Sequence, residues 1–278
     1  MTFLAAACQM RSTSDLAENL RQAEALVREA AGRGALFVAT PENTSYLGPH
    51  REKVRLAEPL DGPTCARFAA LARELGIHLL LGSFAERADD AERCFNTSVL
   101  FSPAGERIAT YRKLHLFDVD VPGGVTFRES DTVLPGRDVV VADSPLARIG
   151  LSICYDLRFG ELYRALVERG AELLTIPSAF TATTGEAHWE TLVRARAIES
   201  QAFVVAPGQW GRHDDGGLKE SWGQSLIVDP WGRILAEAND GIGVVVAGID
   251  LSEVRKVRSA IPMAAHRRLD RSPLLPGR

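Results

Sequence analysis

Three residues stand at the ends of apolar runs, where a chain leaving a sheet can present a reactive group. Cys154 ends Ile149-Gly150-Leu151-Ser152-Ile153 and is followed by Tyr155-Asp156-Leu157-Arg158-Phe159 before a helical stretch. A thiol at such a strand-to-helix turn projects from the sheet edge, and the next backbone N–H, that of Tyr155, can face a developing oxyanion. The start of the helix also favours thiolate over thiol. Glu42 ends Ala35-Leu36-Phe37-Val38-Ala39-Thr40-Pro41, which puts a carboxylate at a sheet edge where active sites collect. Lys113 follows strand-like Ile108 to Tyr111 and precedes Leu114-His115-Leu116-Phe117. Apolar neighbours can desolvate that ammonium if a carboxylate pairs with it.

Taken singly, each residue has an ordinary alternative. Cys154 can close a core strand as a small hydrophobe, Glu42 can be a loop residue facing solvent, and Lys113 can be a surface lysine. Glu129, in Phe127-Arg128-Glu129-Ser130, is less telling alone, since acidic and hydroxyl residues in loops usually make turns or caps. A Cys–His mechanism finds little support, because none of the six histidines sits in a protease signature. His115 can approach the Lys113 site, and His188 beside Trp189 packs or shapes a pocket. Gly123-Gly124 and Gly216-Gly217 lack the strand and helix context of a dinucleotide site.

The elements that must position these groups alternate along the chain. Phe3 to Ala7 reads as a strand, and Asp15 with Glu18 forms a capping signal before Leu16, Leu20, Ala23 and Val27 at helical spacing. Gly32 and Gly34 stop that helix before a strand from Ala35 to Ala39. Pro63 opens and Gly76 closes another helix, ahead of the apolar run Ile77 to Leu81. Asn96 to Phe101 and Arg107 to Tyr111 flank a hairpin turn at Ser102-Pro103-Ala104-Gly105. Strands are expected at Ile149 to Ile153, Leu173 to Ile176, Ala202 to Ala206 and Gly243 to Ile249, with helices over Glu161 to Glu168 and about Glu186 to Ser200. Asp229-Pro230-Trp231-Gly232 turns between Ser225–Val228 and Arg233–Ala236. No low-complexity linker interrupts this pattern, so the reading is one α/β domain over 1–266, with the Pro- and Arg-rich 267–278 a tail at a subunit interface.

Bulk properties narrow the class further. A chain of 278 residues with 46% hydrophobic content can bury a large core. Its net charge of −4 argues against a nucleic-acid surface. The basic cluster Arg255-Lys256, Arg258 and Arg267-Arg268 reads as a solvated helix face or subunit contact. No apolar stretch approaches the ~20 residues that span a bilayer, and Met1 to Gln9 lacks a basic signal-peptide start, so a cytoplasmic, membrane-free protein is expected. Cys8, Cys65, Cys94 and Cys154 have no paired C-x-x-C spacing, which speaks against zinc and thioredoxin-like chemistry. A reducing compartment disfavours disulfides.

Read together, three segments change the odds. Pro41-Glu42-Asn43, Tyr111-Arg112-Lys113-Leu114-His115-Leu116-Phe117-Asp118 and Ile153-Cys154-Tyr155-Asp156-Leu157-Arg158-Phe159 resemble the Glu, Lys and Cys motifs of the nitrilase superfamily, in the family's order and at its usual separations. The resemblance runs from Phe3 to about Arg268. Finer features resemble its Nit branch, the relatives of deaminated glutathione amidase and omega-amidase: Asp118 to Gly123, Phe127 to Ser130, Thr184 to Glu190, Arg194 to Glu199 and Val228 to Gly232. The resemblance implies a four-layer α-β-β-α sandwich that dimerises through its helical layers. It implies Cys154 as nucleophile, Glu42 as acid/base, Lys113 as oxyanion partner and Glu129 as a supporting carboxylate, with no metal or cofactor. The reaction would be hydrolysis of a carboxylate-bearing small amide to acid and ammonia through a Cys thioester.

On substrate, Gln209-Trp210-Gly211-Arg212-His213 resembles the deaminated glutathione group, whereas Phe117 to Pro122 and Phe127 to Ser130 lean towards omega-amidase, acting on α-ketoglutaramate or succinamate. Gln224 stands where these relatives commonly carry His, a departure that bears on the subgroup rather than on the reaction. Both substrates carry a carboxylate, and Arg158 is the expected cation for it, its ordinary alternative being an ion pair with Asp156 or Glu161. A nitrilase acting on C≡N and a non-catalytic oligomeric binding protein are the rival readings. The Nit-branch features count against the first, and retention of Glu42, Lys113, Glu129 and Cys154 against the second.

Overall fold

In a computed structural model, which describes residues 2–120, 126–214 and 220–268, the strand pattern follows from burial on both faces. β1 (Thr2–Gln9) sends Ala5 and Ala7 into one core and Ala6 and Cys8 into another. Successive side chains of a strand point to opposite faces, so a strand covered on both sides reads as a continuous apolar run. Asp15 caps α1 (Leu16–Gly32) by accepting from the Glu18 N–H, as the capping signal predicts. β2 (Ala35–Ala39) repeats the division of β1, with Phe37 and Ala39 facing one core and Val38 the other.

A short helix, α2 (His50–Arg55), follows, then α3 (Pro63–Leu75) with Pro at its start and left-handed Gly76 at its end. β3 (His78–Arg87), β4 (Cys94–Phe101) and β5 (Arg107–Arg112) complete this half. β1, β2 and β3 are parallel, β3, β4 and β5 antiparallel, and Gly243–Asp250 closes the other edge antiparallel to β1. With Val133–Leu134 on β4, this makes a seven-stranded sheet.

The second sheet has six strands and the same logic. Arg148–Leu151, Leu173–Thr175 and Phe203–Ala206 form a parallel centre, flanked by antiparallel Val141–Asp143, Leu226–Val228 and Ile234–Glu237. α4 (Gly160–Glu168) and α5 (Ala182–Ser200) pack on it through Leu162, Leu166, Trp189 and Val193. Those side chains share a core with Ala5, Phe37, Leu80 and Leu100 of the first sheet. α1 and α3 cover the first sheet's other face through Leu20, Val27, Phe68 and Leu71. The architecture is therefore the expected α-β-β-α sandwich in a single domain. α6 (Leu251–Ala260) lies beyond the last strand, where Arg258 donates to the carbonyls of Gln201 and Ala171, so this member of the basic cluster secures the fold.

Beyond shifts of one or two residues at strand ends, two boundaries differ from expectation for identifiable reasons. β3 runs on to Arg87 because a register irregularity between Leu81 and Phe84 lets the strand continue past Gly82 and Ser83. α5 begins at Ala182, four residues before Glu186, although Thr183-Thr184-Gly185 looks like a loop. Gly185 is buried inside the helix, and a Cβ there would lie 2.3 Å from the Trp222 Cβ. The glycine permits close approach rather than breaking the helix. The expected 267–278 tail falls almost wholly outside the described residues, as do Gly123-Gly124 and Gly216-Gly217.

Candidate active site

Glu42 lies just past β2, buried between the two sheets at 3% exposure, which rules out a loop residue facing solvent. Its Oε1 accepts from Lys113 Nζ at 2.8 Å and Asn96 Nδ2 at 2.9 Å, and its Oε2 from the Ala179 N–H at 2.8 Å. The last of these comes from the second sheet's side, so one carboxylate spans the sandwich. The backbone behind it is equally constrained. A Cβ on Gly82 would lie 1.9 Å from the Thr40 carbonyl oxygen, so only glycine lets β3 pass here. Asn43 adopts a left-handed φ of 58°, held by its N–H to Ser83 Oγ at 2.8 Å. Gln209 Nε2 donates to the Glu42 carbonyl at 2.9 Å.

Lys113 follows β5 directly, and its side chain is 2% exposed. Besides Glu42, Nζ meets Glu129 Oε1 at 3.1 Å and Oε2 at 2.9 Å. Burial works to lower the ammonium's pKa, but the charges of Glu129 and Glu42 outweigh it and hold the group well above its usual value. Glu129 sits on a short 3₁₀ turn, Glu129–Asp131, and also accepts from the Phe117 N–H at 2.7 Å. Burial opposes its ionisation, yet Lys113, Lys53 and that N–H pull its carboxyl below the ordinary range. Sequence reasoning thus named Glu129 and missed Asn96, whose Nδ2 faces both carboxylates from β4.

Cys154 follows the strand Arg148–Leu151 and opens a 3₁₀ turn, Cys154–Arg158, ahead of α4. Its φ of 46° is unusual for a residue with a Cβ, and such strain concentrates where side chains must be aimed. The Cys154 N–H bonds the Pro177 carbonyl at 2.9 Å. Buried Asp156 ties the turn down, accepting from the Ile153 N–H at 2.8 Å, the Tyr111 hydroxyl at 2.7 Å and the His115 N–H at 3.0 Å. Since Tyr111 and His115 flank Lys113, one carboxylate links the Cys154 turn to the lysine's segment.

The helix start's pull towards thiolate is opposed here. Burial, then the charge of Glu42, push the Cys154 thiol well above its usual range, and the opposing pull of Lys113 does not cancel them. Glu42 and Lys113 thus act on the sulfur with opposite signs.

These residues meet at the bottom of a cleft of about 660 Å³. Its walls include Tyr46, His50, Phe117, Phe127, Tyr155 and Phe180, with Thr181 and Thr184 at the start of α5. Arg158 lies on the rim, at the end of the 3₁₀ turn rather than on the first turn of α4. Its guanidinium carbon is 5.1 Å from the Phe180 ring centre and its Nη1 is 3.3 Å from His188 Nδ1. Among the described residues it pairs with neither Asp156 nor Glu161. His115 is turned away to Asp156, stacked on Phe159 at 3.7 Å. Gln224 is not among the residues lining the cleft. It lies behind the wall, accepting from Trp189 Nε1 at 2.7 Å and Trp222 Nε1 at 3.1 Å. Among the described residues, no cluster of three or more His, Cys, Asp or Glu side chains is arranged to hold a metal ion, and no helix is long and apolar enough to cross a membrane.

Comparison with known proteins agrees with this fold. Residues 4–259 match the family model described as carbon-nitrogen hydrolase. A deaminated glutathione amidase of Bos taurus is 45% identical over 272 residues, covering 96% of this chain and 82% of that one. The omega-amidase of Homo sapiens is 40% identical over 271 residues, covering 97% and 96%. Among solved structures, the NitFhit protein of C. elegans superposes with a TM-score of 0.90 at 40% identity, covering 96% of this chain, which spans 65% of that longer one. With a family model matched over nearly its whole length, this chain belongs to the carbon–nitrogen hydrolase family and is a hydrolase of amide carbon–nitrogen bonds.

Proposed function

We propose that the enzyme cleaves a carboxylate-bearing small amide through a thioester on Cys154, with deaminated glutathione as the preferred substrate. The observation that carries this reading is that Glu42, bonded to Lys113 at 2.8 Å and to the Ala179 N–H at 2.8 Å, lines one cleft with Cys154. Glu42 takes the thiol proton as sulfur attacks the carbonyl carbon. The resulting oxyanion is held by Lys113 and the Tyr155 N–H. The intermediate collapses as the carbon–nitrogen bond breaks and Glu42 gives its proton to the departing nitrogen. That group is an amine for the peptide-like amide of deaminated glutathione and ammonia for a primary ω-amide. Water enters, Glu42 takes one of its protons, and hydroxide attacks the thioester. Cys154 leaves as the sulfur it began as, reprotonated from Glu42. Glu129 keeps Lys113 oriented throughout.

Arg158 on the rim is the proposed anchor for the substrate carboxylate, since a guanidinium fork can hold it in two parallel bonds. The 45% identity to a deaminated glutathione amidase favours that substrate, and the 40% identity to an omega-amidase supports α-ketoglutaramate or succinamate as the second reading. We further propose a cytoplasmic homo-oligomer. Ile198 on α5 and Trp231 in the adjoining turn are 47% and 53% exposed, a candidate contact between helical layers. Product formation from deaminated glutathione, α-ketoglutaramate, succinamate and simple nitriles tests the substrate. Intact-mass spectra with a slow amide should show an acyl adduct on the wild type and none on Cys154→Ala, which should also lose all turnover. Residual turnover in Cys154→Ala would require a mechanism without the thioester.

A further inference from the structure

A second buried ammonium lies beside the site and has no part in the scheme above. Lys53, on α2, is 6% exposed and lines the same cleft as Lys113 and Glu129. Its Nζ donates to Asn43 Oδ1 at 2.7 Å. Among the described residues no carboxylate lies within ion-pair distance of it. A buried cation without a contacting anion is costly unless charge is balanced nearby. Here the balance is visible. Glu42 and Glu129 bring two negative charges to the floor of the cleft, Lys113 and Lys53 two positive ones, and the thiol none.

We propose that Lys53 is a positioning residue of the reaction, neutralising the buried Glu42–Glu129–Lys113 set and holding the left-handed Asn43 that aims Glu42. This rests on the proposed roles of Glu42 and Lys113. The geometry gives two separable effects. Asn43 is the residue directly after Glu42, and its φ of 58° is fixed at the backbone by Ser83 and at the side chain by Lys53. A side chain clamped at both ends leaves the neighbouring carboxylate little freedom to swing away from the thiol. The second effect is electrostatic. Passing a proton from Cys154 to Glu42 while an oxyanion forms leaves the set's total charge unchanged, and with Lys53 present that total is zero before and after.

The other ionisable groups around this set do not replace it. From α2 itself come His50, Arg51, Glu52 and Arg55, of which His50 lines the cleft and Arg55 pairs with Glu52. From β3 comes Glu86, which is neutralised by Arg112 from β5. From β4 comes Cys94, a buried thiol that burial holds un-ionised. The second sheet's side contributes Cys154 and Tyr155, with the Arg158 cation on the rim held against Phe180 and His188.

The test is the pH dependence of kcat/KM, normalised by titration of active sites, for Lys53→Met, Lys53→Arg and Asn43→Ala. In Lys53→Met the floor carries a net negative charge, so its carboxylates bind protons more readily. The acidic limb should move up by about one pH unit or more, and kcat should fall at the optimum. Lys53→Arg keeps the charge and should leave the limb near the wild-type position. Asn43→Ala removes the clamp and should lower kcat without moving the limb. Three results overturn the proposal. An unmoved limb in Lys53→Met with normal kcat per active site, and only a lower melting temperature, makes the lysine structural. A raised KM confined to carboxylate-bearing amides makes it a substrate anchor instead. Equal limbs in Lys53→Met and Lys53→Arg remove charge as the cause, and Lys53→Arg with Asn43→Ala still decide the matter if Lys53→Met fails to fold. A wild type that turns over no amide would refute the proposed function instead, an outcome none of these three produces.

Discussion

The two sheets bring unlike halves to one cleft. The first sheet supplies the charges: Glu42 past β2, Lys113 past β5, and Glu129 and Lys53 packed behind them, all buried and each bonded in place. The second supplies the Cys154 thiol and the Ala179 N–H, and Arg158, the cation it adds among the described residues lining the cleft, lies on the rim. The charged half needs burial because ion pairs and oxyanion stabilisation strengthen away from water. The thiol's half has a sharp backbone turn, which Cys154 makes at a left-handed φ. What joins them is a small set of cross-sheet bonds, Ala179 to Glu42 and Asp156 to Tyr111 and His115.

The largest expected effects come from removing a charge of the first half, and they carry opposite signs for the nucleophile. Glu42→Gln should lower turnover by about two to four orders of magnitude. Glu42's negative charge raises the Cys154 pKa, so its loss, with Lys113 still present, should let the thiol ionise at lower pH. The midpoint of iodoacetamide labelling should therefore fall while catalysis is lost. Lys113→Ala should damage turnover at least as much, leaving two buried carboxylates unpaired. Lys113 lowers the thiol pKa, so here the labelling midpoint should rise. Midpoints that move together, or not at all, would mean the two halves do not communicate as the geometry implies.

How much of this was legible beforehand depended on whether a residue's role is local. The residues proposed as nucleophile, acid/base and electrophile each sit where an apolar strand ends, a pattern visible in sequence, and the strands themselves follow from double-sided burial. Asn96 and Lys53 were invisible because nothing in Phe95-Asn96-Thr97 or in the polar helix His50-Arg51-Glu52-Lys53 distinguishes a buried polar side chain from an exposed one. Only tertiary packing brings them against Glu42 and Asn43. The helix start's pull towards thiolate is outweighed for a related reason. A turn's dipole is a modest effect of a few tenths to about one kcal/mol, whereas burial beside Glu42 acts more strongly in the opposite direction. α5's early start was hidden because Gly185 reads as a breaker until Trp222 is seen packed on it.

A smaller effect should follow from cutting the bond between halves at Asp156. Asp156→Ala leaves the Ile153 N–H, the Tyr111 hydroxyl and the His115 N–H without their buried acceptor. An orphaned buried donor costs about 1–3 kcal/mol, so the melting temperature should drop by several degrees. Turnover should fall as the Cys154 turn and the Lys113 segment lose their common tie, by about tenfold and well short of the Glu42 variant. Thermal melts and kcat on the same preparation check this. A lower melting temperature with unchanged kcat would show that each half is held independently of the other.

The smallest effect belongs to the rim, and it should be selective where the others are general. Arg158 touches aromatic faces and His188 rather than a carboxylate, which leaves its fork available to a substrate anion. Lysine keeps the charge but cannot make two parallel bonds to one carboxylate. Arg158→Lys should therefore raise KM for deaminated glutathione or α-ketoglutaramate by roughly tenfold, the loss of about one charge-assisted hydrogen bond. kcat should stay near the wild-type value, because ground-state anchoring is what is removed. A neutral amide of similar size should lose much less. Measuring kcat and KM for both substrate types separates rim from floor. Equal losses on charged and neutral amides, with a lower melting temperature, would place Arg158 with the structural residues and leave the carboxylate's partner to be sought elsewhere in the cleft.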